Sequence, residues 1–196
     1  MPAARFLTPA AVAAAVLAAT AGPAHASTAF ASGALAYTCG FPGGSAQAVT
    51  VTESFTGPDT VAPGAAFSIT NISGAITLSP AALAALTGAG YDGVQGGIAA
   101  AVVVPANATR PPDPAGAATV QAGTWGPAPQ AITFHGGHQP FVAGASGVVT
   151  FGRTTSLFLQ LTFHLAPGAT GSTGFGMTCT QQAGQNAAFT PALPIQ

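Results

Sequence analysis

The sequence predicts an all-β domain of the β-sandwich class with one short helix and a single disulfide. Three observations support this prediction: apolar and polar residues alternate over strand-length segments, turns rich in Gly and Pro separate these segments, and the chain contains two cysteines. Of its 196 residues, 48% are hydrophobic and 4% are charged. The chain is therefore apolar enough to fold, because disorder normally accompanies low hydrophobicity.

The first 26 residues predict a secretory signal peptide. Arg5 precedes an apolar run over residues 10–19, and the small-residue end Ala-His-Ala at residues 24–26 marks the expected cleavage site. The run is shorter than the ~20 apolar residues that a membrane span requires, and no later segment exceeds strand length. We therefore expect export without a membrane span, with residues 27–196 forming one secreted domain.

Charged side chains are few, with three Lys or Arg against four Asp or Glu. Nucleic-acid binding requires several cations to neutralise phosphates, so this composition argues against it. A near-neutral surface solvated by Thr, Ser, Gln and Asn favours packing against a cell-wall polymer or other envelope proteins. We expect partners of these two classes and no cofactor.

The two cysteines are predicted to form a disulfide. Cys39 lies on the apolar face of the strand LAYTCGF, and Cys179 lies on the apolar face of GFGMTCT. No third cysteine competes, and export permits oxidation. We expect the bridge to tie the first strand to the penultimate strand across the core, closing a loop of about 140 residues worth at most ~5 kcal/mol.

The clearest strand signal is SLFLQLTFHL, residues 156–165, in which leucine and phenylalanine alternate with polar residues. Further predicted strands are QAVTVTESF, AAFSITNI, GAITLS, GIAAAVVV, AATVQAG, QAITFH, VVTFG and AFTPAL. About ten short strands at this spacing indicate a sandwich.

One segment, SPAALAALTGAG, predicts a short helix between two strands. Ser79 is suited to the N-cap, Pro80 to the first helical position and Gly88 to the end, while Leu83 and Leu86 lie three residues apart. We expect about two helical turns here.

Three segments, AYTCGFPGG, TLSPAALAALTGAG and GMTCTQQAGQNAAF, carry a resemblance that covers nearly all of residues 27–196. The chain resembles a family of secreted actinobacterial immunoglobulin-like domains of unknown function. The resemblance implies an immunoglobulin-like β-sandwich, export and a disulfide, and it brings no catalytic residues. Glu53 departs from this resemblance, because a charged residue lies on the same strand face as the apolar residues Val49, Val51 and Phe55.

The segment HGGH places His135 and His138 on either side of two glycines. Gly-Gly is a good two-residue hairpin turn, which would set the two imidazoles opposite each other with Cβ atoms about 5 Å apart. Zinc requires three or four ligands, and the candidate third ligands are His164 and Asp113. We predict an exposed turn pair and no metal site; the alternative is a weak metal-binding or pH-sensitive patch.

No catalytic residues are predicted. A Gly-x-Ser-x-Gly nucleophile motif is absent from the sequence, and Asp59 and Asp92 stand beside turn-forming residues and are interpreted as turn residues. The other carboxylates that glycoside chemistry could use are Glu53 and Asp113. We predict that the protein is not an enzyme.

Carbohydrate binding requires only exposed aromatic rings and a few polar groups. Trp125, in GTWGPAP, is the first candidate platform and Tyr91 is the second; the alternative for Trp125 is a plug at the core or the sheet edge. The sequence thus predicts a non-catalytic secreted cell-envelope or extracellular interaction module, with a polysaccharide-binding β-sandwich module as the alternative.

Overall fold

The computed structural model describes residues 26–44, 46–100, 103–110, 117–127 and 129–196. Residues 1–25 of the predicted signal peptide and Asp113 lie outside the described residues. No helix in the described ranges combines the length and the hydropathy needed to cross a membrane.

The first half of the chain forms β1 (Ser27–Ser32), β2 (Leu35–Gly40), β3 (Ala46–Pro58), β4 (Ala66–Leu78), α1 (Pro80–Gly88), β5 (Tyr91–Ala100), β6 (Val103–Ala106) and β7 (Ala108–Thr109). The second half forms β8 (Ala118–Val120), β9 (Gly123–Thr124), β10 (Gln130–His135), β11 (His138–Ala143), β12 (Gly147–Arg153), β13 (Ser156–Leu165), β14 (Gly174–Gln181), β15 (Phe189–Thr190) and β16 (Leu193–Ile195). The predicted strands AAFSITNI and GAITLS are joined in the single strand β4.

The large sheet closes on itself. Its strands follow the order β3, β2, β14, β13, β5, β8, β10 and β4, and β4 pairs again with β3. The pairings around this ring are antiparallel, so alternate side chains point inward and outward along each strand. Closure gives each strand of the ring a partner on both sides and removes the unpaired edge of an open sheet.

A second sheet, ordered β16, β12 and β6, packs against the large one. Phe151 of β12 contacts Phe30 and Phe55 edge-to-face, with ring centroids 5.4 and 5.1 Å apart. The face-to-face packing is sandwich-like, and the predicted all-β class with one short helix and one disulfide is confirmed. Closure through β3 and β4 is a feature that the expected immunoglobulin-like arrangement did not include.

The predicted helix is confirmed. Ser79 caps it, its Oγ accepting a hydrogen bond from the Ala82 N–H at 3.1 Å, and Pro80 occupies the first turn. Leu86 is fully buried against the core. The chain then turns into β5 through Gly90, whose φ of +87° lies in the left-handed region that favours glycine.

The disulfide is present, but its predicted path across the core is wrong. Cys39 and Cys179 are direct register partners on the neighbouring strands β2 and β14, with Cα atoms 4.0 Å apart. The unpredicted strand β1 precedes β2, and the predicted strand AFTPAL is divided between β15 and β16, so the bridge joins neither the first nor the penultimate strand. It reinforces one ladder of the closed sheet, with both sulfurs in the core.

Candidate functional site

The HGGH segment does not form a hairpin. β10 and β11 both pair with β4, where His135 lies opposite Ser73 and His138 lies opposite Thr70. The two strands therefore run end to end along one partner, and Gly136 and Gly137, with φ of +93° and +86°, form the bend between them. The hairpin prediction is wrong because Gly-Gly suits a tight turn and a strand bend equally well. Pairing of both flanking strands with β4 favours the bend.

This geometry separates the two histidines. Both are exposed, and three steps of strand rise place them about 10 Å apart, twice the spacing of a hairpin pair. The candidate third ligand His164 is elsewhere, where its Nδ1 contacts Asp92 Oδ1. Among the described residues, no group of three or more His, Cys, Asp or Glu could hold a metal ion.

Asp92 and Asp59 have different structural roles. Asp92 lies within β5, so its interpretation as a turn residue is wrong. Its carboxylate contacts His164, and the two side chains are 34% and 41% exposed. Asp59 lies in the bend that follows β3, as expected. There its carboxylate accepts a hydrogen bond from the Thr28 hydroxyl, and its N–H donates to the Ala26 carbonyl at 3.2 Å.

The two candidate platforms, Tyr91 and Trp125, both pack on Phe163. The Tyr91 ring centroid is 5.1 Å from that of Phe163, and its hydroxyl donates to the Ser172 carbonyl at 2.9 Å. Tyr91 is only 7% exposed, so almost no ring surface remains for a ligand. Trp125 meets Phe163 edge-to-face at 6.2 Å and is half-buried, so part of its surface stays accessible.

A buried ion pair joins the two sheets. Arg153 of β12 contacts Glu53 of β3, and their side chains are 1% and 0% exposed. The guanidinium also lies 5.8 Å from the Tyr37 ring centroid, a cation–π distance, while the Tyr37 hydroxyl donates to the Thr154 carbonyl at 3.2 Å. The sequence indicated this pair only through Glu53, which lies on the apolar face of its strand. A buried carboxylate requires a partner, but the pattern of a single strand does not identify that partner.

Burial controls the electrostatics of this cluster. Desolvation by burial lowers the pKa of Arg153, and the neighbouring Tyr37 opposes this shift. Glu53 Oε1 and Arg153 Nε and Nη2 have no hydrogen-bond partner within the described part of the chain. Because both side chains are sealed inside the protein, the cluster is structural and cannot reach a substrate.

Two of the open grooves on the described surface are large enough to hold a ligand. The larger, of about 680 Å³, lies where the start of β1, the end of β3 and the chain end at Gln196 meet, and none of its lining side chains is ionisable. The second, of about 430 Å³, crosses the outer faces of β3, β4 and β10. Its lining combines hydroxyl-bearing and apolar residues with Glu53 and His135, and the hydroxyls of Ser54 and Ser73 lie 3.0 Å apart beside His135.

A further surface feature was not predicted from the sequence. Phe158 and Ile98 lie on the outer face of neighbouring strands and are 47% and 52% exposed. The available signal was the polar parity of Phe158 in SLFLQLTFHL, where the other outward positions are polar.

A family model described as a family of unknown function (DUF6801) matches residues 36–190, which includes nearly all of the closed sheet. The chain belongs to the DUF6801 family. Neither a curated protein nor a solved structure matches it. The matched region includes both cysteines and both members of the buried ion pair, so the features that hold this DUF6801 fold together lie within the family segment.

Proposed function

We propose that the protein is a non-catalytic secreted module that acts by binding another component of the cell envelope or extracellular space. The observation that carries the proposal is that four of its ionisable side chains contact each other in pairs. Glu53 and Arg153 neutralise each other in the core, and Asp92 pairs with His164 on the surface. Neither contact brings a nucleophile together with a base, which is the arrangement that hydrolysis requires.

Two further observations support the proposal. A disulfide is characteristic of proteins exposed to an oxidising compartment, and the expected signal peptide would deliver the chain there. The buried apolar residues form one core cluster, which supports a single domain over residues 27–196. The larger open groove, whose lining side chains are not ionisable, suits a neutral partner.

The proposal is tested by assaying the purified protein against generic esterase, protease and glycosidase substrates. We expect no turnover above that of a heat-denatured control. The matched control is His135→Ala, because His135 lines the second groove and lies opposite its register partner Ser73, which also lines it. Turnover that requires the native fold and disappears in His135→Ala would contradict the proposal.

The second candidate function is polysaccharide binding through Trp125, which keeps part of its ring accessible beside Phe163. Pull-down on peptidoglycan, chitin and cellulose tests it. Loss of retention in Trp125→Ala with an unchanged melting temperature would support Trp125 as the contact, whereas equal retention would exclude this ring.

A further inference from the structure

We propose that a neutral polysaccharide binds the outer face of β5, β13 and β14. The site, here the Phe158 platform, consists of six exposed residues: Ile98, Ala100, Phe158, Gln160, Gly176 and Thr178. The inference rests on the proposed function, because it names the ligand class and the surface of the binding module.

The strand register makes this platform a regular grid. Phe158 lies between its partners Ala100 and Thr178, and Gln160 lies between Ile98 and Gly176 in the next outward row. The three strands belong to the closed sheet, whose inward residues fill the core, so this face has a rigid backing. Rigid positioning lowers the entropy cost of binding.

Gly176 is the feature that leaves the platform open. A Cβ added there would lie 3.5 and 3.6 Å from Cε2 and Cζ of Phe158 and 3.5 Å from Oε1 of Gln160. The tip of the phenyl ring therefore leans over the glycine, and the Gln160 amide borders the same space. A larger residue would fill the place where the ring and the amide meet.

The chemistry of this surface fits a sugar chain. A pyranose ring has an apolar face of C–H groups that stacks on an aromatic ring, and an exposed side-chain amide both donates and accepts hydrogen bonds with hydroxyls. The strand segments 96–100, 156–162 and 174–180 contain no Lys, Arg, Asp or Glu. A ligand that relies on charge finds no complementary group here, whereas a neutral polysaccharide needs none.

Two competing roles for the exposed ring give different results in the same experiment. In a covering role, Phe158 only shields the strand at Gly176, as aromatic residues do for glycines in sheets. In a contact role, the apolar pair Phe158 and Ile98 packs against a second copy of the chain. The covering role predicts a change in stability without a change in binding, and the contact role predicts a dimer.

The experiment measures retention of the purified chain, residues 27–196, on insoluble cellulose and chitin. The variants are Phe158→Ala, Phe158→Trp and Gly176→Thr. The matched control is Val148→Ala, because Val148 has a similar exposure of 46% but lies on the second sheet. Size-exclusion chromatography with light scattering and thermal melting accompany each sample.

We expect the wild type to bind at least one of the two polymers as a monomer. Phe158→Ala should bind about tenfold more weakly, while Phe158→Trp and Val148→Ala keep the wild-type affinity. Gly176→Thr should lose binding without unfolding, because its added Cβ meets its neighbours at ordinary contact distances while its side chain fills the gap.

The inference is overturned if the wild type binds neither polymer, if Phe158→Ala binds as well as the wild type, or if the wild type is a dimer that Phe158→Ala dissociates. Retention that depends on Trp125 and not on Phe158 also overturns it, yet leaves the proposed function intact. Native turnover in the substrate assays would instead remove the proposed function itself, so the two failures are distinguishable.

Discussion

Among the described residues, two contacts between an acidic and a basic side chain lie in contrasting surroundings. Glu53 and Arg153 meet between the two sheets with side chains 0% and 1% exposed, whereas Asp92 and His164 meet at the end of β13 with side chains 34% and 41% exposed. Water screens the second pair and is excluded from the first, so the same kind of contact has different consequences in the two places. Burial therefore determines how strongly each of these contacts affects the stability of the fold.

Glu53→Ala should produce the largest effect. It leaves the Arg153 guanidinium buried without its counter-ion, which costs about 3–5 kcal/mol of unfolding free energy. At roughly 2–4 °C per kcal/mol, the thermal midpoint should fall by about ten degrees. Urea denaturation measures the free energy. The matched control is Glu53→Leu combined with Arg153→Met, which should recover most of the loss because no buried charge remains.

Removing the disulfide should rank second. Cys39→Ala combined with Cys179→Ala should lower the unfolding free energy by about 2–4 kcal/mol, because the loop of 140 residues is no longer restrained in the unfolded chain. The strand partners remain hydrogen-bonded, so the variant should keep its strand content by circular dichroism. A titration of two free thiols in the unfolded, unreduced wild type would show that no bridge had formed.

Asp92→Asn should have a small effect. When His164 is protonated, the exposed pair is worth about 0–1 kcal/mol, and added salt should weaken it further. Melting curves at low and high salt measure both effects. A loss as large as that of Glu53→Ala would contradict the contrast between the two pairs.

Metal binding by the two histidines should be the weakest of these effects. His135 and His138 lie on consecutive strands about 10 Å apart and lack a third ligand among the described residues, so we expect dissociation constants weaker than about 10 μM for zinc, copper and nickel. Calorimetric titration tests this expectation. Submicromolar binding abolished by His138→Ala would reveal a site that this geometry does not form.

Local patterns predicted the elements that local forces determine. The helix follows from Ser79 and Pro80, and the inward leucines of β13 follow from strict alternation. The inward orientation of both cysteines was also predictable, since each lies on the apolar face of its strand. These features depend on residues close together in sequence, where capping and periodicity act.

Features that depend on distant partners could not be predicted. HGGH became a bend because β4 pairs with the strands on both sides of it, and the closure of the sheet depends on β3 meeting β4. The partner of Glu53 lies 100 residues later, on β12. The Phe158 platform depends on how three neighbouring strands are aligned. The alternation of apolar and polar residues describes each strand separately and does not give this alignment.

A pair of double-mutant cycles measures whether burial sets the strength of these charge contacts. One cycle combines Glu53→Gln with Arg153→Met, and the other combines Asp92→Asn with His164→Gln, each followed by urea denaturation at one pH and salt concentration. We predict a coupling energy of about 2 kcal/mol or more for the buried pair and less than about 0.5 kcal/mol for the exposed pair. Equal coupling energies, or additivity at the buried pair, would show that burial does not set the strength of these contacts.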